Sequence, residues 1–230
     1  MRLRWSLKYH IITNNSNYKM KKFIVFILLL QFQTIYSQDV ITLKHRAYIT
    51  SFDVHKKYPV MVQWWVTKKM FSCNYKNNRI STFSADPKLK EHTNLNDMYK
   101  HSGYDRGHVF PALYGECDYR TMKESFYYSN MLPQTPSLNR GDWKMVEELT
   151  KLECLKYDSV YVWAGGVGEV RKLGTMSVPE YCWKVIYIKK TKEYFGFLFK
   201  NDFSRPNGIN DNKVEISEIE KITGFRFKIL

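Results

Sequence analysis

Tyr104-Asp105-Arg106-Gly107-His108 opens a stretch that continues through Ser129-Asn130-Met131-Leu132-Pro133-Gln134 to Asn139-Arg140-Gly141-Asp142-Trp143 and closes at Glu147. It holds a histidine able to take a proton near neutral pH and, beside it, an arginine able to hold an oxyanion. Two asparagines and a glutamate add oxygen atoms of the kind that bind a hard divalent cation while leaving most of its water in place. A base, an anion clamp and a Mg²⁺-type site together describe metal-assisted phosphodiester hydrolysis. The stretch reads as a hairpin-like β unit followed by a helix. Pro111 stops the first strand, Thr121 to Phe126 form a helical turn, Tyr127 to Met131 a further strand, and Pro133, Pro136 and Ser137 a loop. Met145, Leu149, Leu152 and Leu155 then recur at helical spacing, a stripe expected to pack on a sheet. Asn139 lies at the mouth of that helix and Glu147 about two turns in. Eight residues of ideal helix rise about 12 Å, so the two cannot both ligate one ion from regular helix. Either Asn139 lies in an irregular mouth, or Glu147 reaches the ion through water.

The order of these residues resembles the DNA/RNA non-specific endonucleases, the secreted bacterial and mitochondrial (endonuclease G-like) nucleases of the ββα-metal class. Asp-Arg-Gly-His alone carries little weight. The specificity lies in the ordered series after it: Asn130 in a Ser-Asn-x-x-Pro-Gln setting, Asn139 next to Arg140-Gly141, Trp143 four residues on and Glu147 four beyond that. The resemblance covers most of the chain after about Leu43. It implies an α+β fold with a central antiparallel sheet and helices packed on it, in a single nuclease domain spanning 38–230. It implies His108 as general base, Asn139 as the direct ligand of Mg²⁺, with Mn²⁺ able to replace it, and Glu147 reaching the ion through water. Arg106 would stabilise the pentacovalent phosphate. Arg79 is placed like a family arginine that binds the scissile phosphate. Asn130 is expected to orient His108 or its loop rather than to ligate, and Asp105 to be structural. The implied substrates are DNA and RNA. One departure is Phe110, which stands where the family carries a small or aliphatic residue before the proline, and bears on substrate scope.

Each assignment has a plainer competitor. Asn139 could be only a helix N-cap, a role that uses the same side-chain oxygen. Arg106 could be paired structurally with Asp105 or another acid. His10, His45, His55, His92 and His101 have no comparable neighbours. A non-catalytic nucleic-acid-binding or scaffold domain of the same fold should lack the histidine or the metal asparagine, and both are present. A third possibility is an enzyme of this fold acting on other phosphodiesters.

The rest of the chain sets the frame. Its 230 residues, 44% hydrophobic and 16% aromatic, suit one folded domain of moderate size. Lys19, Lys21 and Lys22, the apolar run Phe23 to Leu30 and a cleavage point at Ser37-Gln38 read as a secretory signal, implying a secreted or periplasmic protein. Residues 1–37 carry six Lys and Arg and no acid, so their removal lowers the formal charge from +14 to +8. That still favours a polyanionic partner. The four cysteines, at 73, 117, 154 and 182, contain no Cys-x-x-Cys, which disfavours zinc. Three pairings are open to them, of which Cys73–Cys117 with Cys154–Cys182 is preferred. Strands are expected within Val40 to Thr67, where positions 58 to 66 alternate, and at Ser159 to Ala164, Cys182 to Ile188 and Tyr194 to Phe199. Gly165, Gly166 and Gly168 read as a turn. Ser217 to Glu220 reads as a capping box opening a short helix that ends at Gly224.

Overall fold

A computed structural model describes residues 40–74, 76–89, 95–204 and 208–229; the signal-like segment, His10 and His92 lie outside the described residues. The strands are β1 (Val40–Lys44), β2 (Ile49–Asp53), β3 (Tyr58–Thr67), β4 (Asp105–His108), β5 (Met131–Gln134), β6 (Ser159–Val167), β7 (Arg171–Leu173), β8 (Met176–Val178), β9 (Tyr181–Ile188), β10 (Glu193–Lys200) and β11 (Lys213–Val214). The helices are α1 (Asn96–Tyr99), α2 (Tyr119–Ser125), α3 (Pro136–Arg140), α4 (Asp142–Tyr157) and α5 (Ile216–Thr223). Seven strands form an antiparallel sheet in the order β1-β2-β3-β6-β9-β10-β11, and β4-β5 and β7-β8 form two small ribbons. The expected α+β class, antiparallel sheet with helices packed on it, is the class observed.

The alternation at Tyr58, Val60, Val62, Trp64 and Val66 becomes the inner face of β3, all five side chains buried. They share one core with Val160 and Val162 of β6, Ile186 and Ile188 of β9, and Trp143 and Val146 of α4. The opposite face of the sheet carries Trp163, Trp183 and Val185, closed over by Ile219 of α5 and by Phe227. Because β9 is covered on both faces, its sequence is apolar without a break except at Lys184, as two-sided burial requires.

Several expectations change. The stripe Met145, Leu149, Leu152, Leu155 does not pack on the sheet: Met145, Leu152 and Leu155 are exposed and Leu149 is half-buried. The face of α4 turned inward carries Trp143, Val146, Thr150 and Cys154 instead. Both sets obey helical spacing, and Trp143 decides between them. Its ring packs edge-on to Phe199, with centroids 5.9 Å apart, and its N–H finds a carbonyl partner, which the leucine face could not offer. Tyr128–Asn130 forms a single 3₁₀ turn, and the strand follows at Met131 rather than ending there. Helix α5 ends at Gly224 with φ 75°, as expected, but Glu215 is its N-cap and no side chain caps it. One disulfide joins Cys73 to Cys117; Cys154 and Cys182 are separate buried thiols on α4 and β9. Asp158 O lies 3.7 Å from the Cys154 Sγ, and burial pushes the Cys182 thiol up to about 12. Gly165 and Gly166 sit inside β6 rather than in a turn. A Cβ on Gly165 would stand 2.1 Å from the Val60 carbonyl oxygen, so the sheet backbone closes only around a hydrogen.

Gly165→Ala should therefore force β3 and β6 apart and cost roughly 1–3 kcal/mol, in the range of overpacked cores. A urea midpoint unchanged from the parent would show that β3 can yield.

Candidate active site

A cavity of about 450 Å³ opens beside the β4-β5 ribbon, lined by Arg79, Phe83, Arg106, His108, Asn139 and Glu147, with Glu116, Lys144 and Glu148 also on its wall. In a strand, residues two apart share a face, so β4 presents Arg106 and His108 together. Gly107 points the other way. A Cβ there would lie 1.9 Å from Gln134 Oε1, so it is the Gln134 side chain, rather than a ligand, that needs the missing Cβ.

His108 is held by both backbone and ring. Its carbonyl accepts from Trp143 Nε1 at 3.0 Å. Its imidazole stands edge-on to Phe126, centroids 4.7 Å apart, and tilts against Phe83. Nε2 is buried and has no hydrogen-bond partner among the described residues. Burial among these rings, with Arg79 nearby, pushes the imidazole down to about 3. The residue expected to titrate near neutrality is therefore neutral throughout the physiological range, because nothing here solvates or pairs the cation.

Arg106 lies between two rings, its Cζ 5.3 Å from the Phe83 centroid and 5.2 Å from that of Tyr99. Its Nη2 donates to Asn96 Oδ1 at 2.9 Å. It does not pair with Asp105, whose carboxylate instead takes Arg140 in a two-point grip: Nε to Oδ2 at 2.8 Å and Nη2 to Oδ1 at 2.7 Å. Asp105 also accepts from Asn139 Nδ2 at 2.9 Å. Burial alone would raise the Asp105 carboxyl, but these two partners hold it below the usual range. An ionised carboxylate only accepts, so it fixes the Asn139 amide with nitrogen toward Asp105 and leaves Oδ1 for another partner.

Asn139 is not the helix cap. It belongs to α3, capped by Thr135, which accepts from the Leu138 N–H at 3.4 Å. Gly141, at φ −103° and ψ −110°, breaks the chain between α3 and α4. Asn139 thus stands outside the helix that carries Glu147, and the rise of about 12 Å, which assumes one continuous helix, does not apply to the pair. Asn130 lies behind the wall, fully buried. Its Oδ1 accepts from Phe110 N at 2.8 Å, and its Nδ2 donates to Phe110 O at 2.9 Å and Ser125 O at 2.8 Å. It clamps the backbone just past His108 and does not face the cavity. Arg79 is brought to the site from a distant segment, its Cζ 5.3 Å from the Phe126 ring.

Two participants escape a reading of the sequence. Asp105, expected to be only structural, orients Asn139. Lys184, which looks like part of an apolar strand, is almost wholly buried, with Nζ 4.0 Å from the Trp143 ring centroid. Burial raises the Glu147 carboxyl to about 7, while the positive charges of Lys184 and Arg79 oppose that rise. The one signal available for Lys184 is its being a lone lysine inside Cys182 to Ile188.

Asn139, Glu147, Glu148 and Glu116 line the same cavity. Among the described residues, no group of three or more His, Cys, Asp or Glu is arranged to cage an ion. One amide oxygen with carboxylates near it suits a hard cation that keeps most of its water, as Mg²⁺ does.

The family model for DNA/RNA non-specific endonucleases matches residues 29–229. The chain is 32% identical over 167 residues to the mitochondrial Nuclease 1 of Schizosaccharomyces pombe, covering 65% of this chain and 52% of that protein. It is 29% identical over 143 residues to a nuclease of Nostoc sp., covering 56% and 52%. The chain spans about half the length of these curated relatives. Among solved structures, the EndoG/EndoGI complex, described as showing the mechanism of EndoG inhibition, contains a chain that superposes with a TM-score of 0.74 at 26% identity, covering 81% of this chain and 84% of that one. Matched over most of its length by the family model, this chain belongs to the DNA/RNA non-specific endonuclease family.

Proposed function

We propose that this chain hydrolyses phosphodiester bonds in DNA and RNA with little sequence preference, using His108 as general base and Asn139 to hold Mg²⁺ or Mn²⁺. The observation that carries this reading is a neutral His108 imidazole on the wall of a cavity that Arg79, Arg106 and the oriented Asn139 amide also line. The His108 imidazole takes a proton from the attacking water as the water oxygen bonds to phosphorus. The bond from phosphorus to the 3′ oxygen breaks, and that oxygen leaves with a proton from solvent. Negative charge gathering on the phosphate draws the proton onto an imidazole that resists it in the resting protein. Arg106, stiffened between two rings, and Arg79 hold the non-bridging oxygens as that charge grows. Asn139 directly, and Glu147 through water, would hold the ion. When bound, it supplies neutralisation of phosphate charge, worth several kcal/mol. Asn130 keeps the backbone at Phe110 in place, and Asp105 keeps Asn139 aimed.

The Cys73–Cys117 disulfide suits an oxidising compartment and supports export, so secretion is part of the proposal. The basic balance suits a phosphate polyanion, and the phosphate-facing arginines carry no base readout. A steep fall in cleavage of long DNA is therefore expected as salt rises to several hundred millimolar; a flat salt profile would contradict the polyanion reading.

The two central roles separate in kinetics. His108→Ala should lower turnover by about 10² to 10⁴ with little change in Mg²⁺ affinity. Asn139→Ala should raise the Mg²⁺ concentration needed for half-maximal rate. A folded His108→Ala protein, checked by circular dichroism, that kept a tenth of the activity would rule out the base.

The pH dependence follows from Glu147. Its carboxyl is neutral below and charged above about 7 in the ion-free protein, so the state able to hold an ion's water is gained as pH rises through that value. Carboxyl carbon NMR in EDTA should find one glutamate titrating far above the usual range of about 4.3, lost in Glu147→Gln. A spectrum in which every glutamate titrates normally would sink this assignment.

A further inference from the structure

The segment that brings Arg79 to the cavity is a strap fastened at both ends. At its start, the disulfide joins Cys73 to Cys117. Next to it, Asn77 donates from N at 2.7 Å and from Nδ2 at 3.0 Å to the Glu116 carbonyl, and Lys76 Nζ meets Glu116 Oε2 at 2.6 Å. At its far end, the Ser84 N–H donates to Phe126 O and the Tyr128 N–H to Ser84 O. Asp86 accepts from Ser129 Oγ at 2.5 Å and stands 3.2 Å from His45 Nε2, with the His45 and Asp86 side chains wholly out of solvent. Arg79 lies between the two fastenings, beside Ile80, which packs against the cluster of Ala112, Met122 and Phe126. The Arg79 side chain is exposed, and among the described residues its guanidinium touches the Phe126 ring but makes no hydrogen bond or ion pair. A long, solvated arginine without polar partners does not place itself; its backbone places it.

The two fastenings differ in kind. The Asp86 end is buried and survives on its own hydrogen bonds. The Cys73 end is held, apart from the covalent link, by the Asn77 hydrogen bonds to Glu116, by the Lys76–Glu116 ion pair, which is exposed on the lysine side and weak, and by Phe71 packed edge-on to Tyr114. Glu116, the residue before Cys117, borders the cavity, so the link ties the strap directly to the wall that Arg79 faces.

We propose that the Cys73–Cys117 disulfide is a positioning element of the active site: it fastens the strap to the Glu116 turn, holds Arg79 at the reacting phosphate, and so makes turnover depend on redox state. The inference rests on the phosphodiesterase reading proposed for the cavity. Reduction by dithiothreitol would move two electrons and two protons to the bridge, leaving thiols at Cys73 and Cys117 and the cyclic oxidised reagent. Cys154 and Cys182 are already thiols and cannot respond.

The test is a coupling measurement on the whole chain. kcat and KM on DNA and on a small phosphodiester are taken before and after dithiothreitol, for the parent, Cys73→Ser with Cys117→Ser, Arg79→Ala, and all three together. Reduction of the parent should lower kcat by about ten- to a hundredfold, since displacement of a clamp by about 1 Å costs on the order of 10²-fold. The serine pair should match the reduced parent and ignore dithiothreitol. With Arg79 already alanine, reduction should change kcat less than about twofold. An equal loss in both backgrounds would show that the bridge only stabilises the fold and would overturn the proposal, as would no loss in the parent. If the serine pair fails to fold, reduction of the parent below its melting temperature gives the same comparison. Amide exchange over residues 76–83 supplies a readout independent of activity. It should quicken on reduction while β4 stays protected, and unchanged protection overturns the proposal. A parent protein inactive on every substrate would instead defeat the phosphodiesterase reading, with exchange still deciding whether the bridge holds the strap.

Discussion

The hydrogen bond from the Trp143 indole to the His108 carbonyl joins the two halves of the site. His108 ends a ribbon strand and Trp143 begins the long helix α4, and neither element contains a sequence signal for the other. The indole also lies over Lys184 of β9 and against Phe199 of β10, so one buried ring refers the helix, the ribbon and the central sheet to a single point. Glu147 follows Trp143 by one helical turn. Its place relative to His108 is thus set through the indole, with which its side chain also interacts.

Electrostatics at the cavity follows from which charges are rigid and which are solvated. Arg106 is stacked on two rings and bound to Asn96, and Lys184 is enclosed under Trp143. Arg79 is exposed, and among the described residues its guanidinium touches only the Phe126 ring. The fixed positive charges lower the cost of an anion arriving at the cavity, while burial keeps His108 neutral and holds Glu147 above its ordinary range. In the resting cavity the imidazole is thus neutral and the Glu147 carboxyl sits above its ordinary range.

The parts legible in sequence were those encoded locally. Alternation from Tyr58 to Val66 specified β3 because one face of that strand meets a continuous core. The two-residue spacing of Arg106 and His108 on a strand put both at one wall. Asn130 was expected to act on the His108 loop, and its amide does so through Phe110. The packing face of α4 was not legible. Two apolar stripes of equal periodicity compete there, and the choice falls to Trp143, whose partners lie in β4, β9 and β10. Gly165 and Gly166 could not be placed either, since the group that forbids a side chain at Gly165 is the backbone of Val60, far earlier in the chain.

The amino-acid sequence by itself determined the family, the α+β class, the strand alternation and the identity of the residues gathered at the cavity. Each of these is a matter of residue type and short spacing. Only the tertiary structure decided that Asp105 aims Asn139, that Gly141 separates Asn139 from α4, and that His108 is neutral and Glu147 raised. It also decided that the bridge runs from Cys73 to Cys117 while Cys154 and Cys182 stay apart. Orientation, burial and electric field at a residue come from whatever distant segments fold against it, and those segments are not neighbours in the chain.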